Sequence, residues 1–206
     1  MSSEPVFRLR AAAAAASAVV DGVQPGQWAL PTPCTEWNVG ELVMHMAGGN
    51  LLFAEAVAGT DGTAGSGGIG TATAVLRVDC ASAAPEDVKS AYRAATASLI
   101  TAFEEPGALE KTVDVPFGTV PGSVALELRA TELLTHAWDV ATATGQRVAA
   151  PEAVAVAAIA FSEAALLKIP VGRTPFGPSQ PAGEDAGAIE RLVALLGRPV
   201  TVAMDS

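Results

Sequence analysis

Residues 123–145 read SVALELRATELLTHAWDVATATG. This Ala- and Leu-rich stretch predicts one long helix over Ser123–Thr144, stopped by Gly145. The chain has only two histidines in 206 residues, and one of them, His136, follows Glu132 by four positions. On a helix that spacing puts both side chains on one face, one turn apart, where they can hold the same metal ion. The other histidine, His45 in ELVMHMAGGN (residues 41–50), is the obvious third ligand from another helix.

Outward from this stretch, Ala-rich segments of helical length alternate with Gly/Pro punctuation, which predicts a mostly helical fold. A first helix is expected from Glu4 to Asp21, ending before Gly22 and the Pro25–Gly26 turn. The second starts near Asn38, a good N-cap ahead of Glu41, and reaches about Gly59. Its Leu42, Met46, Phe53 and Val57 mark a buried stripe with His45 beside it. Residues 60–70, TDGTAGSGGIG, read as a loop, and VLRV (75–78) as a short extended segment. A third helix begins around Pro85 and ends before Pro106–Gly107. KTVDVPFGTVPG (111–122) alternates apolar and polar residues around a glycine, the pattern of a small hairpin. After Gly145 come a helix near Glu152–Lys168, a Pro/Gly-rich loop and a short helix near Asp185–Leu196. The expected fold is therefore all-α: four long helices closing a bundle over about residues 4–145, with a C-terminal helical extension over about 150–206 in the same single domain.

Composition limits what such a fold can do. Half of the residues are hydrophobic, 17% are charged and the mean hydropathy is +0.37, so the chain can bury a large core. A net charge of −10, with only 12 Lys+Arg and no basic run, argues against nucleic acid as a partner. Arg8 and Arg10 ahead of AAAAAASAVV imitate a secretory signal, yet Glu4 breaks the basic region and alanine inserts weakly into membranes. No apolar run elsewhere approaches the roughly 20 residues that span a bilayer. A cytoplasmic protein with no membrane partner is expected, and its two cysteines, Cys34 and Cys80, read as reduced thiols.

By itself the Glu132/His136 spacing is a weak signal. With 22 acidic residues in 206, a histidine finds an acidic neighbour at helical contact spacing by chance with a probability of roughly 0.4. A core histidine bonded to glutamate for packing leaves the same trace, and His45 on an apolar face is open to the same reading.

The wording around the residues is more specific. PTPCTEWNVGELVMHMAGGN (31–50) and VPGSVALELRATELLTHAWDVATATGQ (120–146) resemble the DinB-like metal-binding superfamily. Within it they are similar to the actinobacterial proteins related to mycothiol-dependent maleylpyruvate isomerase. The similarity covers roughly residues 5–145 and continues through GRTPFGP (172–178) and ERLVALLGRPV (190–200).

That resemblance implies a DinB-like four-helix bundle in which His45, Glu132 and His136 bind a divalent metal. Two imidazoles and a carboxylate leave an open position, with zinc favoured and nickel, iron or manganese also accepted. It also implies a thiol-dependent transferase or isomerase, with mycothiol as co-substrate and a small electrophile as substrate. The isomerases carry a separate C-terminal domain that contributes to their active site, whereas only residues 146–206 follow the bundle here. Maleylpyruvate isomerisation is therefore not expected to transfer as a named activity. The contrasting readings are a non-catalytic metal-binding or stress-associated bundle and a helical interaction module without metal. A homodimer is compatible with all three.

Other residues near the site carry graded expectations. Arg129 is the candidate catalytic side chain, three residues before Glu132, placed to orient that carboxylate, meet an anionic substrate or make a surface salt bridge. Asp139 either bonds an imidazole or, as the favoured expectation, is an exposed helical carboxylate. Trp37, Trp138 and Phe53 are expected in the core, and Asn50 is not expected to share the His45 face. Cys34, near the start of the His45 helix, is an additional soft ligand, a reactive thiol or, as the favoured expectation, a buried structural thiol with nothing basic nearby to lower its pKa.

Overall fold

The computed structural model describes residues 3–59, 84–116, 118–167 and 176–200. The expected loop over 60–70 and the extended VLRV segment lie outside them. Four long helices carry the core: α1 (Glu4–Gly22), α2 (Val39–Ala58), α3 (Pro85–Glu104) and α4 (Gly122–Thr144). A two-stranded antiparallel hairpin, β1 (Thr112–Val115) and β2 (Gly118–Pro121), sits between α3 and α4. Two further helices follow, α5 (Glu152–Leu166) and α6 (Ala188–Leu195).

Local chemistry explains where these elements start and stop. The Asn38 side chain accepts from the Glu41 amide at 2.9 Å while the Glu41 carboxylate accepts from the Asn38 amide at 2.9 Å, a reciprocal cap that fixes the first turn of α2. The last turn of α4 is closed by Gly145 at φ 71°, a left-handed conformation that costs glycine least. Gly122 opens the same helix against the Ala108 carbonyl, where a Cβ would fall 2.0 Å from that oxygen. The hairpin therefore feeds directly into α4 at a fixed position. The α6 helix starts at Ala188, not at Asp185 as the sequence suggested.

Packing follows the apolar stripes. The principal partners are α2 with α3 and α1 with α4, and contacts of α2 with α4 and α1 with α3 close the bundle. The alanines of α1 let it lie close to its neighbours, and Leu9, Val19 and Val20 fill the gaps. Arg8 on α1 also pairs with Glu127 on α4. The centre holds Leu42, Met46 and Phe53 of α2, Tyr92, Leu99 and Phe103 of α3, and Leu126, Leu133 and Leu134 of α4, all buried. α5 and α6 pack on each other and both lie against α4, so the extension covers a flank of the helix bearing Glu132 and His136. No helix among the described residues is long and apolar enough to cross a membrane.

Candidate metal centre

His45 projects from α2 toward Glu132 and His136 on α4. One ligand atom from each of these three residues lies within 4.8 Å of the other two. The two imidazole rings meet edge to face, with centroids 5.2 Å apart and planes at 89°. Trp37, just ahead of the α2 cap, stacks on His45 with centroids 4.2 Å apart and presents an edge to His136. The site is only partly covered: His136 is 7% exposed, while His45 and Glu132 are half-buried. Burial, followed by the neighbouring His136, pushes the His45 pKa down to about 4, against the pull of Glu132. His45 is therefore neutral at pH 7, the state in which an imidazole has a lone pair to give.

Each candidate ligand on α4 is braced from behind. Arg129 is 1% exposed; its Nη1 donates to Glu132 Oε2 at 2.9 Å, its Nε to Asn50 Oδ1 at 2.8 Å and its Nη2 to the Met46 carbonyl at 2.9 Å. The position next to Asn50 is a glycine for a spatial reason: a Cβ on Gly49 would lie 2.3 Å from Arg129 Nη1. Of the roles open to Arg129, this burial removes substrate contact and the surface salt bridge and leaves the orienting one. Asn50 is fully buried in the core, where it accepts from Arg129 and donates to Thr96 Oγ1 at 2.9 Å.

Asp139 corrects the favoured expectation more sharply. It is fully buried, and its Oδ2 accepts from His136 Nδ1 at 3.0 Å. Arg198, beyond α6, donates to it through Nη2 at 2.9 Å and Nε at 3.2 Å. Burial works against the Arg198 cation, and the hydrogen bonds and charge of Asp139 outweigh it, so its pKa stands above the ordinary arginine value. No local sequence signal had singled out Arg198. Its one trace was its place in the ERLVALLGRPV segment of the resemblance.

Cys34, His136 and Asp139 form a second cluster with ligand atoms within 4.8 Å of one another. It suits a cation poorly, because both Asp139 oxygens are already taken by Arg198. Burial and the charge of Asp139 raise the Cys34 pKa against an opposing pull from Arg198, which favours the thiol in the metal-free protein. A basic group does stand near Cys34, contrary to expectation, but it does not prevail. In the first cluster Arg129 engages only Oε2 of Glu132 and leaves the other oxygen, and the donors fit a divalent ion of the zinc type. Phe53 is in the core as expected, under the Arg129 guanidinium at 5.9 Å. Trp138 is half-buried and lines a separate cleft of about 500 Å³ between α4 and the extension.

Known proteins resemble this chain at two levels. Two uncharacterised proteins of Mycobacterium tuberculosis, from strains CDC 1551 / Oshkosh and ATCC 25618 / H37Rv, are each 34% identical over 200 residues, 96% of this chain and 99% of theirs. Among solved structures, the mycothiol-dependent maleylpyruvate isomerase superposes with a TM-score of 0.59 at 18% identity, covering 79% of this chain and 68% of its own. A histidine-to-alanine mutant of that isomerase gives 0.61 at 17% identity with the same coverage. At these identities the two structures establish the fold. The model of the mycothiol maleylpyruvate isomerase N-terminal domain matches residues 9–141, which include all of α2 and both α4 ligand candidates. The chain belongs to the mycothiol maleylpyruvate isomerase N-terminal domain family.

Proposed function

We propose that this protein is a metal-dependent thiol transferase or isomerase that binds a divalent ion through His45, Glu132 and His136 and uses mycothiol with a small electrophilic substrate. The convergence of one donor from α2 and two from α4, the latter pair braced by buried side chains, carries the reading. Family membership and the mycothiol-dependent isomerase among the structural neighbours support the thiol. Zinc is the favoured ion, and the same donors accept nickel, iron or manganese. When bound, such an ion supplies an open coordination position and lowers the pKa of a thiol placed there.

The residues of the chain do the rest. His45 offers a neutral imidazole at pH 7. Arg129 orients Glu132 from inside the bundle and leaves its other oxygen for the site. Asp139 accepts from His136 Nδ1, which leaves Nε2 as the nitrogen with a free lone pair. Trp37 walls one side of His45 with an apolar ring, where it limits water and gives a planar substrate a face to stack on. Three protein ligands beside partly exposed space suit turnover better than a closed structural site. The working context is a single-domain cytoplasmic enzyme, with a homodimer as an admissible assembly.

The test is a thiol-consumption assay on zinc-loaded protein with mycothiol and a panel of electrophiles, including activated alkenes and halides. Metal-dependent acceleration that disappears in Glu132→Gln supports the reading. No acceleration across the panel rules out catalysis of this kind.

A further inference from the structure

Asp139 is a carboxylate with no solvent exposure, so its charge must be compensated from within the protein. Its compensation comes from Arg198, which lies 59 residues away in sequence. The turn carrying Arg198 is shaped closely. The Gly197 amide donates to the Ala194 carbonyl at 3.0 Å, and the Arg198 amide to the Val193 carbonyl at 2.9 Å. Gly197 has φ 87°, and a Cβ there would fall 2.8 Å from the Gly177 backbone. Both the dihedral and the space call for glycine. Arg198 Nη1 is occupied by the Leu196 carbonyl at 3.2 Å, and its other two nitrogens are left for Asp139.

We infer that Arg198 is a positioning residue for the metal centre, holding Asp139 so that His136 keeps its proton on Nδ1 and its lone pair on Nε2. The inference rests on the metal reading proposed above. A carboxylate engaged by an arginine can only accept from the imidazole, which fixes the tautomer. Without the guanidinium, Asp139 loses its one arginine or lysine partner among the described residues and the ring loses its fixed acceptor. The C-terminal extension thereby acts on the site without reaching its ligand atoms: α6 and the Gly197 turn deliver a cation to the back of His136. Anything that undocks this turn weakens metal binding, and by linkage a bound metal holds the turn in place.

The experiment compares wild-type protein with Arg198→Gln, Arg198→Lys and, as a control, Arg191→Gln, whose exposed side chain donates to the Ala186 carbonyl. The readouts are zinc affinity by competition with a chromophoric chelator and the ring-nitrogen chemical shifts of His136 in metal-free protein, with circular dichroism confirming folding. Arg198→Gln is expected to bind zinc about 10- to 100-fold more weakly and to lose the Nδ1–H signature. Arg198→Lys recovers part of both, and Arg191→Gln matches wild type. Unchanged His136 shifts in folded Arg198→Gln, or an affinity within about twofold of a zinc-binding wild type, overturn the inference. If Arg198→Gln does not fold, Arg198→Lys carries the same two criteria. Should wild-type protein bind no zinc, the metal reading fails separately, and the metal-free shifts still decide whether Arg198 sets the tautomer.

Discussion

Replacing Arg129 with methionine tests whether the site is built from the core outward. The guanidinium is almost wholly buried and makes three hydrogen bonds, to Glu132, Asn50 and the Met46 carbonyl. Methionine fills much of the volume but returns none of the donors. Asn50 Oδ1 then loses its donor in a dry interior, at roughly 1–3 kcal/mol, whereas the Met46 carbonyl keeps its bond within α2 and loses only an additional one. Glu132 contributes less, because its side chain retains 18% exposure and can turn toward water. The summed expectation is a loss of about 2–4 kcal/mol. At about 2–4 °C per kcal/mol for a chain of this size, Tm falls by roughly 4–16 °C. Urea denaturation of metal-free protein, with far-UV circular dichroism as the probe, gives the value. A loss below about 1 kcal/mol would show that the network is not a structural support and that the bracing of Glu132 is incidental.

Three further substitutions probe separate links. His136→Ala is expected to abolish tight zinc binding while the bundle still folds, since a core this large does not depend on an open-site metal; retained affinity in a titration would mean that the ligands are misassigned. Gly49→Ala puts a methyl group 2.3 Å from Arg129 Nη1, so the pinned guanidinium must shift, costing about 1–3 kcal/mol and weakening zinc binding through Glu132; wild-type values for both contradict the close fit. Asn38→Ala removes the reciprocal cap of α2 and is expected to cost about 1 kcal/mol in denaturant midpoint analysis, with zinc affinity nearly unchanged because His45 lies two turns further along.

The sequence made the fold legible where the physics is local. Asn38 with Glu41 marks a helix start, Gly145 marks a stop, and the alternation in 111–122 marks a hairpin, because each depends on residues within a few positions of one another. Glu132 and His136 were legible as a pair for the same reason. What stayed hidden came from partners distant in sequence. Asp139 reads as exposed from the sequence because its own helix gives no hint that the C-terminal extension will cover it. Arg198 follows the last helix with no periodicity to flag it, and only docking of that extension shows its purpose. Asn50 lies about 140° around α2 from His45, but rotation around a helix does not reveal whether that side meets water or a buried arginine.

The central claim is that His45, Glu132 and His136 form a metal centre, and the most direct test is the metal content of protein purified without chelator and then titrated with zinc. About one equivalent of tightly held divalent metal per wild-type chain, falling below about 0.1 in both His45→Ala and His136→Ala, is the expected result. Less than about 0.1 equivalent in wild-type protein, with no uptake of added zinc, would contradict it.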